Sequence, residues 1–394
     1  MEESGSSNNN KNNNKSPLHI ELVLDPSAII TQARRDLTSI VVSKKKQSRS
    51  QSLSPSSILT KIHAGYFRIS LSLCSQALLW KTLGEPTSHP NALQLLLHMI
   101  PTAVTIFLWS FVLLTLLLLS LLYLLRCFFY FKMVKAEFLH HVGINYFFAP
   151  WISWLLLLQS APFVAPRTIY YLILWWVFVL PVIVLDLKIY GQWFTKGKRF
   201  LSGVANPTSL LSVMGNLAGA QAAAEMGWRE SAVCMFSLGM AHYLVLFVTL
   251  YQRLSGTDRL PTMLRPVFFL FFAAPSMASL AWDSISGNFD ISSKMLFFLS
   301  LFLFTSLVSR PTLFKKAMKR FNVAWWAYSF PVTMLALAAA EYAQEVNGCI
   351  ARGLTYVLSG LSVLVSLALI ISTALNTSML LPDSDPILNL PTYR

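Results

Sequence analysis

Residues 102–125 read TAVTIFLWSFVLLTLLLLSLLYLL and contain no charged side chain. About 20 consecutive apolar residues suffice to cross the hydrocarbon core of a bilayer as a helix. The rest of the chain has the same character, since 55% of its 394 residues are hydrophobic and only 12% are charged. A soluble domain carries about 25% charged residues. The composition therefore excludes a soluble enzyme as the default and predicts an all-α integral membrane protein.

Outward from this segment, the hydropathy of the chain predicts ten membrane spans. They cover residues 64–83, 101–125, 145–161, 168–187, 207–225, 230–251, 266–283, 294–309, 322–343 and 353–376. Residues 1–60 are rich in Asn, Ser and Lys, as in SSNNNKNNNKS (6–16), and are too polar to form a core. The sequence thus divides into a disordered basic tail (1–60), a transmembrane domain (61–378) and a short polar tail (379–394).

The distribution of Lys and Arg indicates the orientation of the chain. Loops that follow even-numbered spans hold 15 of these residues, whereas loops that follow odd-numbered spans hold 5. Cytoplasmic loops carry the excess of basic residues in membrane proteins. We therefore expect both tails in the cytoplasm. The net charge of +14 is explained in this way without nucleic acid as a partner.

A proline recurs in each odd-numbered span from the third onward, at Pro150, Pro207, Pro275 and Pro331. The separations of 57, 68 and 56 residues are close to the length of one helical hairpin. Proline is frequent in membrane helices generally, but inside a helix it also removes a hydrogen bond and kinks the axis. We interpret the chain as five tandem hairpins whose kinked inner helices surround a pore. A GxxxG pair in the fifth span, Gly215 and Gly219, predicts close helix packing.

Few ionisable residues lie within the predicted spans. Four are near span ends, where interfacial pairing or snorkelling is expected, namely Arg68, Asp186, Asp283 and Glu341. His242 lies mid-span and is expected to be a buried, hydrogen-bonded residue. No inner span carries a carboxylate at its centre, which favours passive permeation over proton-coupled transport. The sequence has no serine-hydrolase, zinc-protease or P-loop motif, so we predict no enzyme activity, no metal and no cofactor.

Several segments in order resemble the plant slow-type (S-type) anion channels, the SLAC/SLAH family, which is related to bacterial TehA and fungal malic-acid transporters. They are SQALLWK (75–81), NYFFAPW (145–151), LKIYGQW (187–193), VANPTS (204–209), FAAPS (272–276) and AWWAYSFP (324–331). The likeness covers about residues 60–378. It implies ten helices as five hairpins with quasi-fivefold symmetry, the odd-numbered helices around a pore, and a trimer with one pore per subunit.

The resemblance also implies a gate and an anion-attracting mouth. A phenylalanine before the proline of the ninth helix projects into the pore in this family, and the matching residue is Phe330. Some members stack a second phenylalanine against it from the third helix, where this chain has Leu156. The basic residues of the cytoplasmic mouth and pore wall match Lys135, Arg199 and Arg310. A pore of this kind passes small monovalent anions, such as nitrate and chloride, across the plasma membrane.

The expected partners are membrane lipids, inorganic anions, and related subunits in a homotrimer or heterotrimer. Thr38 and Ser52 each follow an arginine by three residues, which is typical of protein kinase sites. A basic tail held near anionic lipid would explain the same residues. Two further functions stay open at this point. The chain could be a non-conducting, modulatory subunit of mixed channel trimers, or a carrier of malate and similar dicarboxylates.

Overall fold

A computed structural model of the chain describes residues 55–84, 102–195, 205–254, 262–315, 318 and 321–376. Within these residues it is all helical, as predicted. Its long helices are α1 (Phe67–Gly84), α2 (Thr102–Phe129), α3 (Phe148–Gln159), α4 (Ile169–Thr195), α5 (Leu210–Glu225), α6 (Arg229–Leu254), α7 (Leu270–Ser286), α8 (Ile291–Val308), α9 (Ser329–Val346) and α10 (Cys349–Leu375). Each lies at the position of a predicted span. Most of the predicted N-terminal tail, Thr38, Ser52, Arg199 and the C-terminal tail lie outside the described residues.

The five odd-numbered helices form a closed ring, and the five even-numbered helices pack against it as a second layer. Within the ring, α1 contacts α3, α3 contacts α5, α5 contacts α7, α7 contacts α9, and α9 contacts α1. Each even-numbered helix packs against the odd-numbered helix that precedes it. The odd-numbered helices are the inner helices, and the even-numbered ones are the outer helices. The chain is therefore arranged as five helical hairpins.

Burial separates the two layers. Of the most apolar window of Val323–Val346, which includes α9, 94% is buried, whereas the figure is 11% for Ala103–Phe129 in α2. Seven of the described helices are long and apolar enough to cross a membrane by themselves. An eighth would be the pair Phe131–Leu139 and Gly143–Gln159, which is bent by 106°. The helix α5 has only 16 residues, and α1, although as long as α8, is not among the seven. A count of ten crossings remains a prediction.

Short turns precede several inner helices and have related caps. Turns of 3₁₀ helix at Ala64–Tyr66, Pro207–Ser209 and Val323–Ala327 lead into α1, α5 and α9. In each, the side chain before the turn accepts a hydrogen bond from the backbone N–H two residues later. These side chains are His63, Asn206 and Asn322. Such caps satisfy N–H groups that have no partner inside a helix.

The repeated prolines lie at different depths from those expected. Pro150 and Pro331 are each the third residue of their helix, and Pro207 begins the turn before α5. A proline in the first turn of a helix removes no intrahelical hydrogen bond. Kinks at these three positions therefore remain a prediction. Pro275 differs because it lies inside α7, six residues from its start.

The helix α5 packs closely on its neighbours, as its GxxxG pair predicts. A Cβ atom added at Gly215 would lie 3.1 Å from Val182 Cγ1 of α4. One added at Gly219 would lie 2.5 Å from Met235 Cε of α6. Glycine at these positions lets two outer helices approach the inner helix.

Candidate functional site

Phe330 is the second residue of α9, and only 1% of its surface is exposed. It belongs to the large buried cluster that joins the inner helices. Leu156 of α3 is fully buried in the same cluster. The aromatic ring is thus enclosed by protein.

A cavity lies at the C-terminal ends of the inner helices, and every one of the five contributes to its wall. This terminal cavity has a volume of about 290 Å³. Its polar lining consists of Lys81 and Thr82 of α1, Gln159 of α3, Gln221 and Glu225 of α5, Asp283 and Ser284 of α7, and Glu341 of α9. A space bounded by all five inner helices lies at one end of the axis that the ring surrounds. It is the place where a solute moving along that axis would enter or leave.

The charges of the terminal cavity are mixed. Lys81 donates a hydrogen bond from Nζ to the carbonyl oxygen of Gln159, at 2.7 Å. Tyr171 donates to Glu225 Oε2 at 3.3 Å, which orients one carboxylate. Three carboxylates and one described ammonium group line the wall. An anion at this end would therefore find Lys81 as its favourable contact among groups that repel it.

Two of the three basic residues expected at the cytoplasmic mouth lie among the described residues. Lys135 lies on the helix Phe131–Leu139 and is exposed, as is Arg310 after the end of α8. Arg199 lies outside the described residues. Neither described residue lines the terminal cavity.

Arg126 differs from the loop residue that its position in the sequence suggests. It is fully buried at the end of α2, where Nη2 lies 3.6 Å from Glu137 Oε2. Glu137 also accepts a hydrogen bond from the backbone N–H of Ala64, at 2.7 Å. This buried pair joins the end of α2, the helix Phe131–Leu139 and the turn that precedes α1. Charged side chains so deeply buried require such pairing.

Two ionisable residues of the outer helices bind inner helices. Asp186 of α4 is 2% exposed, and its Oδ2 accepts a hydrogen bond from Asn216 Nδ2 of α5 at 2.6 Å. Asp186 is therefore paired with an inner helix inside the protein. His242 of α6 lies 3.0 Å through Nδ1 from Ser212 Oγ of α5, as expected of a buried, hydrogen-bonded histidine.

Residues 61–374 match the family described as the voltage-dependent anion channel, SLAC1. The chain belongs to this family. It is 58% identical to the S-type anion channel SLAH1 of Arabidopsis thaliana over 339 residues, which are 85% of this chain and 86% of that protein. It is likewise 58% identical to the S-type anion channel SLAH4 of that plant, over 82% of this chain and 86% of the relative. The guard cell S-type anion channel SLAC1 is 44% identical over 321 residues, which are 81% of this chain and 56% of that protein.

Membership of the SLAC1 family agrees with the helical membrane protein that the composition predicted. The family and these relatives are anion channels and not enzymes. The matched residues include all ten long helices up to Ala374, one residue before the end of α10. The closed ring of inner helices is thus a feature of the part that the family shares.

Proposed function

We propose that this chain is a slow-type anion channel that passes small monovalent anions, nitrate and chloride, passively across the plasma membrane. The observation that carries the proposal is the enclosed ring of Phe330 on an inner helix of a closed helical ring. Support also comes from relatives that are named S-type anion channels. A bulky apolar side chain in a narrow passage blocks ions both by its size and by excluding water.

The proposed pathway runs along the axis of the inner helices, in a ten-span subunit of a quasi-fivefold trimer. Both termini are cytoplasmic, so the terminal cavity is the outer mouth. Lys135, Arg199 and Arg310 raise the anion concentration near the inner mouth. Anions lose part of their hydration at Phe330, which favours weakly hydrated nitrate over chloride. Thr38 and Ser52 are the proposed kinase sites of the cytoplasmic tail.

Replacing Phe330 by alanine tests the gate. We expect Phe330→Ala to increase the anion current in oocytes under voltage clamp, in baths of nitrate and of chloride. If the ring contributes about 1.4 kcal/mol to the barrier, its removal raises the current about tenfold. Reversal potentials in the two baths give the anion preference. Surface labelling corrects each current for the amount of protein at the membrane.

Phe297→Ala is the matched control, because Phe297 is also fully buried but lies on the outer helix α8. It should leave the current per surface protein unchanged. An unchanged current in Phe330→Ala, with normal surface protein, would contradict the gate. A saturable flux that depends on a pH gradient would contradict passive permeation.

A further inference from the structure

Six polar side chains form a buried group where α1, α9 and α10 meet. This polar cluster consists of Ser72 and Gln76 of α1, Ser329 and Thr333 of α9, and Ser362 and Ser366 of α10. None is more than 6% exposed. A buried polar group is costly unless it has a hydrogen-bond partner. Their mutual hydrogen bonds therefore select one arrangement of the three helices.

Gln76 is the centre of the polar cluster. Its Nε2 lies 2.9 Å from Thr333 Oγ1, 2.7 Å from Ser362 Oγ and 2.8 Å from Ser366 Oγ. An amide group has two hydrogens to donate, so these three hydroxyl groups and the carbonyl oxygen of Ser362, at 3.3 Å, share them. One side chain of α1 thus reaches both α9 and α10.

Hydroxyl groups extend the polar cluster to the residue next to the gate. Ser72 Oγ donates to Ser329 Oγ at 2.6 Å, and Ser329 Oγ lies 2.6 Å from Ser366 Oγ. Thr333 Oγ1 lies 2.8 Å from Ser362 Oγ. Ser329 directly precedes Phe330 in α9.

The spacing along α9 connects the polar cluster to the orientation of Phe330. Ser329 and Thr333 are four residues apart and lie on one face of the helix, while Phe330 is turned from Ser329 by about 100°. A rotation of α9 that moves the ring of Phe330 also moves Ser329 and Thr333 away from α1 and α10. Such a rotation leaves buried hydroxyl and amide groups without partners.

We infer that the polar cluster, with Gln76 at its centre, is a positioning element that holds α9 in the rotation in which Phe330 is enclosed. The inference rests on the proposed gate. Gln76 is a positioning residue, because it acts on the pathway through Phe330. Its loss destabilises the closed arrangement of this structure and so favours conduction.

The test measures Gln76→Leu in two backgrounds, as nitrate current per surface protein in oocytes. Leucine keeps much of the side-chain volume and removes the amide. In the presence of Phe330 we expect the current to rise about threefold, the effect of an average interhelical hydrogen bond in a membrane protein. In the Phe330→Ala background Gln76→Leu should have no further effect, because the side chain that it positions is absent.

Ser300→Ala is the matched control, because its hydroxyl group is equally buried but joins α8 to α7. Ser300 Oγ lies 2.5 Å from Ser276 Oγ and donates to the carbonyl oxygen of Phe272 at 2.6 Å. This variant should leave the current unchanged in both backgrounds. If Ser300→Ala changes the current as much as Gln76→Leu does, the channel is sensitive to the loss of any buried hydrogen bond. That result would overturn the inference.

The outcomes separate the inference from the proposed function. If Phe330→Ala alone leaves the current unchanged, the gate is wrong and the positioning role falls with it. If Phe330→Ala raises the current but Gln76→Leu lowers it or leaves it unchanged, only the inference is wrong. The same holds if Gln76→Leu changes the current equally in both backgrounds, since the polar cluster then acts independently of Phe330.

Discussion

In a water-soluble protein, the more apolar of two helices is usually the more buried. The outer helix α2 and the inner helix α9 show the opposite relation. The α2 segment is the more apolar of the two, yet 11% of its apolar window is buried, against 94% for the α9 segment. Lipid accepts the apolar faces of α2, whereas polar and small residues collect in the interior, where they have partners. The most apolar part of this chain is therefore its surface, and the inner helices carry the residues that specify the fold.

The largest expected effect on stability comes from replacing a glycine of an inner helix by leucine, compared with the same replacement in an outer helix. Gly219→Leu in α5 should cost about 3 kcal/mol or more, because its side chain would overlap Met235 and Val179. Gly360→Leu in α10 should be tolerated, since a Cβ there meets nothing within 4 Å. Fluorescence-detected gel filtration in detergent would measure the folded fraction of each variant. Equal losses would show that the inner layer is no more tightly packed than the outer one.

A charge on the exposed face of α2 tests whether that face lies against lipid. Leu118 is 55% exposed, and Leu118→Lys should cost about 2.5–3.5 kcal/mol at the bilayer centre. Phe131→Lys is the matched substitution beyond the end of α2, at a residue that is 64% exposed, and should insert normally. The inserted fraction can be measured by glycosylation mapping. Normal insertion of Leu118→Lys would mean that protein or water, and not lipid, faces α2.

The smallest expected effects concern the charges of the terminal cavity. Lys81→Met should reduce the anion current and Asp283→Asn should increase it, each by roughly two- to threefold, since partial hydration screens a single charge. Both effects should shrink when the ionic strength is raised. If neither substitution changes the current, the terminal cavity is not part of the proposed pathway. Such a result would not contradict the arrangement of the inner helices.

The sequence predicted the positions of the helices well, because hydropathy alone defines them. Residues 230–251 were expected and Arg229–Leu254 was found, and residues 353–376 correspond to Cys349–Leu375. The sequence could not show that Pro150 and Pro331 lie in the first turn of their helices while Pro275 lies deeper, because a proline gives the same sequence pattern in both places. Hydropathy also cannot show that Arg126 is buried, since a basic residue after a span is typical of a loop.

The candidate site could be predicted only in part. The resemblance supplied Phe330, whose burial in the structure agrees with the expected gate without testing it. The terminal cavity was missed because its wall combines the ends of five helices that are distant in sequence. The polar cluster was missed for the same reason, since single Ser, Thr and Gln residues in apolar segments form no local pattern.

Because the ring closes between α1 and α9, hydrogen bonds of the polar cluster join segments of the chain that are synthesised at different times. Gln76 and its partner Thr333 are 257 residues apart, and Ser366 is 290 residues from Gln76. At synthesis rates of about 5–20 residues per second, α9 emerges about 13–50 s after α1. Throughout this interval the amide of Gln76 is in or near the membrane without its final partners. The helix α1 therefore depends on temporary hydrogen-bond partners, from the insertion machinery or from water, until the last hairpin arrives.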